Sequence, residues 1–151
     1  MTDILFQEKR WGQKTGQGWY RYEKGNRQGI EDETFETQIR AEANKANISQ
    51  RSVTSEEIIE RTIYALINEG ARIIEEGFAI RSSDIDIIYI YGYGFPAFRG
   101  GPMHYADKVG LKKVYDRICQ FEREQGSWWK PAPLLKKLAE SNQTFAQHDR
   151  G

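Results

Sequence analysis

The sequence has few of the residues that build disulfides and zinc sites. Its 151 residues include a single cysteine, Cys119, and two histidines, His104 and His148. One cysteine excludes an internal disulfide and is compatible with a reducing compartment. Structural zinc sites usually take about four ligands from cysteine and histidine, so this composition predicts no structural metal.

Charge of one sign and long apolar runs are also missing. The 22 lysines and arginines balance 22 aspartates and glutamates, whereas a protein that binds nucleic acid through phosphates usually has a basic surplus. The longest apolar run, Ile87 to Tyr91, is far shorter than the roughly 20 residues of a membrane-spanning helix. Asp3, Glu8 and Lys9 interrupt the amino terminus, which therefore lacks the pattern of a signal peptide. We expect neither nucleic-acid binding nor a membrane span.

The apolar residues that are present follow helical spacing. The strongest predicted helix runs from Ser55 to Glu76, with Thr54 as its amino-terminal cap and Gly77 at its end. Gly70 inside this helix predicts close packing against another element, because glycine costs about 1 kcal/mol there relative to alanine. Further helices are predicted over residues 31–47, 102–107, 111–125 and 134–140, and residues 146–151 are expected to form a frayed tail.

The segment from Ser82 to Tyr91 is ambiguous. Its isoleucines and tyrosine suit a strand, but a short buried helix capped by Ser83 or Asp84 gives the same run. The chain offers no second strand of similar strength, and a lone strand cannot satisfy its backbone hydrogen bonds. These considerations favour a helix.

The loop that follows, Gly92 to Ala97, matches a dinucleotide-binding fingerprint in its letters. That fingerprint needs a helix whose free amides receive the pyrophosphate, and Pro96 removes one amide. The acidic residue expected roughly 20 residues later is absent, because position 117 is an arginine. We therefore interpret this segment as a rigid packing loop that binds no cofactor.

Other polar residues are interpreted as structural. Asn68 is predicted to be mostly buried and bonded to the glycine-rich loop. A contact between His104 and Asp107 on one helix face is conceivable from their spacing, but no nucleophile or substrate proton is evident nearby. No catalytic, cofactor-binding or metal-binding residue is assigned. The predicted structural positions are Asn68, Gly92, Gly94, Phe95, Pro96, Gly100, Gly101, Pro102 and Asp107.

Residues 108–137 contain a local excess of positive charge. Eight lysines and arginines stand against three aspartates and glutamates in this range. Such a surplus could attract a phosphate-bearing ligand such as coenzyme A, although a solvated helix face is the commoner explanation.

Several segments resemble one enzyme family. They are Ile67 to Arg72, Glu75 to Gly77, Asp84 to Asp86, Gly92 to Pro102 and Tyr105 to Asp107. These segments resemble the carboxy-terminal domain of 3-hydroxyacyl-CoA dehydrogenases, above all the multifunctional type that also carries an enoyl-CoA hydratase part. Residues 12–22 are similar to the end of the first of two helical repeats in that family, and residues 128–145 to the end of those chains.

The resemblance implies an all-α fold, the helical carboxy-terminal domain of the 6-phosphogluconate dehydrogenase C-terminal-like type. It divides the chain into residues 1–50, the end of the first repeat and a connecting segment, residues 51–146, the second repeat, and residues 147–151, a tail. It also implies that NAD and the catalytic histidine–glutamate pair belong to an upstream Rossmann domain. The implied role of this chain is domain packing, dimer formation or substrate enclosure, with acyl-CoA contacted only indirectly.

Two alternatives to this fragment of a β-oxidation enzyme remain open at the level of sequence. One is a freestanding helical interaction module, which a native start at Met1 would favour over an upstream reading frame. The other is a small domain that binds coenzyme A through its basic last third.

A bacterial cytoplasmic location is expected because no terminal Ser-Lys-Leu is present, with a peroxisomal one as the alternative if that signal has been cut off.

Overall fold

A computed structural model of the chain describes residues 2–149, with side chains from residue 3 onward. The chain divides into two compact units, residues 1–52 and residues 53–151. Eight α-helices form within the described residues, where β-pairing is limited to three isolated bridges. The predicted all-α fold is thus confirmed, and no helix within residues 2–149 is long and apolar enough to cross a membrane.

The first unit consists of two helices joined by an irregular, glycine-rich segment. The helices are α1 (Thr2–Gln7) and α2 (Glu33–Lys45), the second of which confirms the helix predicted over residues 31–47. Asp32 caps α2, because its Oδ1 accepts a hydrogen bond from the backbone N–H of Phe35 at 3.2 Å. Its Oδ2 lies 2.6 Å from Nη2 of Arg10, which fastens the amino-terminal segment to the start of α2.

The second unit contains six helices. They are α3 (Ser55–Glu75), α4 (Ser82–Tyr93), α5 (Pro102–Val109), α6 (Leu111–Gln125), α7 (Pro133–Glu140) and α8 (Phe145–His148). Two 3₁₀ turns, Ala97–Arg99 and Ser127–Trp129, lie in the connections. A continuous core joins these helices, and its fully buried side chains include Ile67, Met103, Ile118, Phe121, Leu135 and Phe145. Each such side chain stabilises the fold by roughly 1.5–3 kcal/mol relative to an exposed one.

Helix α3 behaves as its sequence predicts. The hydroxyl of Thr54 accepts a hydrogen bond from the N–H of Glu57 at 3.1 Å, and Gly77 follows the helix with φ +76°. A Cβ at Gly70 would lie 2.5 Å from Sδ of Met103 on α5. The prediction that Gly70 marks close packing with another element is confirmed.

Helix α4 resolves the ambiguous segment in favour of a helix, but two details of the prediction were wrong. The helix is capped at Arg81, and Asp84 lies one turn inside it, where its carboxylate accepts the N–H of Arg81 at 3.2 Å. The helix is also not buried all round. Ile85 and Asp86 face the core, whereas Ile87 and Ile88 are more than half exposed.

The expected frayed tail was also wrong for residues 146–149. Phe145 is fully buried and starts α8, and Thr144 and Gln147 form a reciprocal capping box around its first turn. The carboxylate of Asp149 accepts the N–H of Ser82 at 2.9 Å. Contacts 38 to 67 residues away in sequence thus order a segment whose own composition suggests disorder. Residues 150 and 151 of that tail lie outside the described residues.

Candidate functional site

The loop between α4 and α5 is held in one conformation by its glycines and prolines. Gly94 ends α4 with φ +73°, Gly100 has φ +77°, and Gly101 has φ +96°, all in a region that other residues rarely adopt. The N–H of Phe95 donates to the carbonyl of Tyr89 at 2.9 Å. The predicted loop began at Gly92, but Gly92 and Tyr93 belong to α4, so the loop begins only at Gly94.

The start of α5 bonds to a carboxylate of the protein itself. The N–H groups of Met103 and His104 donate to Oδ1 and Oδ2 of Asp86 at 2.7 and 3.0 Å. These are the amides that a pyrophosphate would need at this helix. The loop whose sequence matches a dinucleotide fingerprint therefore precedes α5, and the first free N–H groups of α5 already donate hydrogen bonds to Asp86.

Asp86 is a buried carboxylate, 7% exposed, that the sequence did not single out. Burial raises the pKa of Asp86 to about 6, although the two amides of α5 and the charge of His104 act in the opposite direction. A Cβ at Gly101 would lie 2.3 Å from Oδ1 of Asp86, so glycine is needed for the carboxylate to reach the helix. Only one signal was available: α5 begins after two glycines, which offer no capping side chain of their own.

His104 and Asp107 do not make the contact that their spacing suggested. The side chain of His104 lies against Gly100, where a Cβ would approach its Cδ2 to 2.5 Å. Asp107 instead accepts the N–H groups of Phe145 and Ala146 at 2.8 and 3.0 Å, and so caps α8. Both carboxylate oxygens of Asp107 therefore accept hydrogen bonds from the start of α8.

Asn68 is buried as predicted, with 4% exposure, but its predicted partner was wrong. Its Nδ2 donates to the carbonyl of Lys130 at 3.0 Å, and its Oδ1 accepts the N–H of Ala132 at 2.8 Å. It therefore fastens the loop before α7, and not the glycine-rich loop, to α3. In the same loop Trp129 is buried against Phe121, with ring centroids 4.8 Å apart, while Trp128 is 84% exposed.

Four of the eight basic residues in residues 108–137 have acidic neighbours. Arg117 pairs with Glu60 at 2.7 Å, Lys112 with Asp116, Lys136 with Glu140, and Lys113 approaches Glu56 at 4.0 Å. Glu56 and Glu60 lie on α3, outside the range over which the surplus was counted. The folded protein thus neutralises part of a charge excess that looks larger in sequence.

Helix α4 of the second unit carries exposed apolar side chains. Ile87, Ile88 and Tyr91 lie on one side of α4 at spacings of three and four residues, and they are 55%, 58% and 86% exposed. We refer to these three residues as the α4 stripe. In soluble proteins, contiguous exposed apolar patches are found mainly where a surface packs against another protein part.

The described residues thus define an all-α domain whose fully buried side-chain nitrogen and oxygen atoms all have hydrogen-bond partners. Residues 58–151 match the family model of the 3-hydroxyacyl-CoA dehydrogenase C-terminal domain. The chain therefore belongs to this family, as its motifs indicated.

Similar proteins are enzymes much longer than this chain. The chain is 43% identical over 141 residues to a peroxisomal bifunctional enzyme of Danio rerio and 39% identical over 142 residues to one of Homo sapiens. It is 35% identical to a peroxisomal fatty acid beta-oxidation multifunctional protein of Arabidopsis thaliana. These matches cover 91–92% of the chain but only 20% of each relative, so the chain spans about a fifth of their length.

A solved structure shares the fold. The crystal structure of the dehydrogenase part of multifunctional enzyme 1 from C. elegans superposes with a TM-score of 0.64 at 29% sequence identity. The match covers 89% of this chain and 31% of that chain.

Proposed function

We propose that this chain is the helical carboxy-terminal domain of an NAD-dependent 3-hydroxyacyl-CoA dehydrogenase of fatty-acid β-oxidation. The match of residues 58–151 to the carboxy-terminal domain of that family carries the proposal. The parent enzyme would oxidise L-3-hydroxyacyl-CoA to 3-ketoacyl-CoA. The first unit would be the end of a first helical repeat and the second unit the second repeat.

We assign the nicotinamide cofactor and the catalytic residues to an upstream region of the parent. The glycine-rich loop does not suit NAD, because Pro96 and Pro102 lack N–H groups and Asp86 holds the amides of Met103 and His104. A pyrophosphate at this point would have to displace a carboxylate buried in the fold. No step of the reaction is therefore assigned to a residue of this chain.

The proposed role of the domain is to pack against the upstream dehydrogenase region. The α4 stripe supports this role, because three apolar side chains at helical spacing are exposed on α4. The chain spans only a fifth of the relatives' length, which leaves ample polypeptide to cover that surface. Dimer formation is the alternative use of the stripe, and sedimentation of the parent enzyme with and without a stripe variant distinguishes the two.

The test is made in the full-length parent enzyme that contains this domain. Ile88→Asp places a charge in the middle of the stripe, and the matched control Arg123→Asp places one on the exposed side of α6. We expect Ile88→Asp to lower dehydrogenase activity and to speed proteolytic release of this domain, while the control stays like wild type. Equal activity and protease resistance in both variants would overturn the packing role.

We also propose a peroxisomal location for the parent. The relatives from fish, human and Arabidopsis are named as peroxisomal enzymes, and none of these three is bacterial. Imaging of the tagged parent enzyme in its own cells tests this location, and a diffuse cytosolic signal would contradict it.

A further inference from the structure

Three short helices of the second unit cap one another through aspartates. Asp86 of α4 accepts two backbone N–H groups at the start of α5, and Asp107 of α5 accepts two at the start of α8. Asp149, directly after α8, accepts the N–H of Ser82 at the start of α4. We call this closed arrangement of Asp86, Asp107 and Asp149 the capping cycle.

Each link of the capping cycle has good hydrogen-bond geometry. The bonds of Asp86 and Asp107 measure 2.7 to 3.0 Å, and each of these carboxylates uses both oxygens. Asp149 reaches the N–H of Ser82 with its two oxygens at 3.1 and 2.9 Å and also accepts the hydroxyl of Ser82. Carboxylates that accept backbone N–H groups at a helix start are stronger than neutral caps and complement the helix dipole.

The links depend on one another because of their order. The position of Asp149 depends on α8, whose first N–H groups are held by Asp107 of α5. Asp86 of α4 in turn holds the start of α5. Asp149 holds the start of α4 and so closes the cycle. All three aspartates line one cavity of about 300 Å³, which Arg81 and His104 also line.

Two further sets of contacts fix the carboxy-terminal turn that carries Asp149. Phe145 is fully buried in the core of the second unit, and the capping box of Thr144 and Gln147 fixes the turn that follows it. The glycine-rich loop of residues 94–101 connects α4 and α5, the other two helices that the capping cycle joins. One end of that loop continues from α4 and the other enters α5 beside Asp86.

From these contacts we infer that the turn from Phe145 to Asp149 is a clasp that holds α4 against α5 and thereby fixes the loop between them. The order of residues 94–101 then depends on a carboxylate nearly fifty residues further along the chain. This inference is independent of the dehydrogenase assignment, since it concerns contacts within the second unit alone.

Hydrogen exchange of the full 151-residue chain tests the clasp. Asp149→Ala removes one link at a partly exposed position, and His148→Ala is the matched control in the same turn. We expect Asp149→Ala to raise amide exchange at least tenfold in the first turn of α4 and in residues 94–101. Exchange in α3 and α6 should stay unchanged, as should the exchange pattern of the control.

A second variant separates a cycle from three independent caps. Asp107→Ala releases α8 from α5, so Asp149 loses its fixed position without being mutated. If the clasp operates, the amides of residues 94–101 exchange no faster in the double variant Asp107→Ala with Asp149→Ala than in Asp107→Ala alone. Multiplied effects of the two substitutions, or an unchanged loop in Asp149→Ala, would overturn the inference.

Discussion

Each of the two units contains a buried aspartate that caps a helix, and the two differ in what surrounds the carboxylate. Asp32 is 8% exposed and Asp86 is 7% exposed. Asp32 caps α2 and bonds to Arg10, and that bond is the main reason why the pKa of Asp32 lies below its ordinary value. Asp86 caps α5 with two amides and bonds to no side-chain cation among the described residues, so burial raises its pKa to about 6.

The comparison shows that a cap alone does not decide the electrostatics of a buried carboxylate. A bonded guanidinium compensates the loss of water around Asp32, whereas backbone amides compensate it only in part around Asp86. The two ionisations therefore change the free energy of unfolding with pH in opposite directions. The surroundings of Asp86 are also more crowded, because Gly101 leaves no room for a side chain.

The largest expected effect comes from filling that space. Gly101→Ala would place a Cβ 2.3 Å from Oδ1 and 2.5 Å from Cγ of Asp86, in a backbone conformation with φ +96°. We expect a loss of about 3–5 kcal/mol in the free energy of unfolding, measured by urea denaturation. Gly25→Ala in the first unit is the control, since its φ is +84° but no atom lies within 4 Å of the new Cβ.

The control should lose about 1–2 kcal/mol, which is the cost of the backbone conformation alone. Equal losses in the two variants would mean that Asp86 can move away from Gly101, and that the crowding around it is not rigid.

A smaller loss of stability is expected when Asp32, the aspartate that bonds to Arg10, is removed. Asp32→Ala eliminates the cap of α2 and leaves the guanidinium of Arg10, whose side chain is 8% exposed, without its carboxylate. We expect α2 to lose about 2–3 kcal/mol of local stability, read from amide exchange in residues 33–45. Unchanged exchange there would show that Arg10 and α2 find other partners.

The pH dependence should have opposite signs at the two aspartates. Asp86 has a folded-state pKa of about 6 against an ordinary value of 3.8, so the folded state binds more protons between these two values. Its contribution to the free energy of unfolding therefore grows as the pH falls from about 6 to 3.8, by on the order of 1–3 kcal/mol. Asp32, with a lowered pKa, contributes fully above 3.8 and loses its contribution as the pH falls further.

Asp86→Asn isolates the first of these two effects. Between pH 7 and pH 4 the wild type should gain stability relative to Asp86→Asn, as followed by urea denaturation at a series of pH values. A difference that stays constant over this range, or a relative loss by the wild type, would contradict the raised pKa.

The same contrast separates what the sequence could predict from what it could not. Thr54, Gly70 and Gly77 carry signals that act within one or two turns or through the small size of glycine, and the structure confirms them. Asp86, Asp107 and Asp149 act across 17, 38 and 67 residues, and no local pattern indicates which backbone N–H a distant carboxylate will reach. The α4 stripe was missed for a related reason, because a run of isoleucines does not show which side of the helix is covered.

The smallest expected effect concerns coenzyme A. Since Arg117, Lys112 and Lys136 already have carboxylate partners, we expect no measurable heat when coenzyme A is titrated into the chain in a calorimeter. Saturable heat that disappears in Arg117→Gln would revive the alternative of a domain that binds coenzyme A.

The most direct test of the central proposal is the dehydrogenase reaction itself. NADH formation from L-3-hydroxyacyl-CoA and NAD is measured for the purified 151-residue chain and for the full-length parent enzyme that contains it. The proposal predicts turnover by the parent and none by the chain alone, because the cofactor and the catalytic residues are assigned to the upstream region. NAD-dependent turnover by the isolated chain would contradict this division of roles.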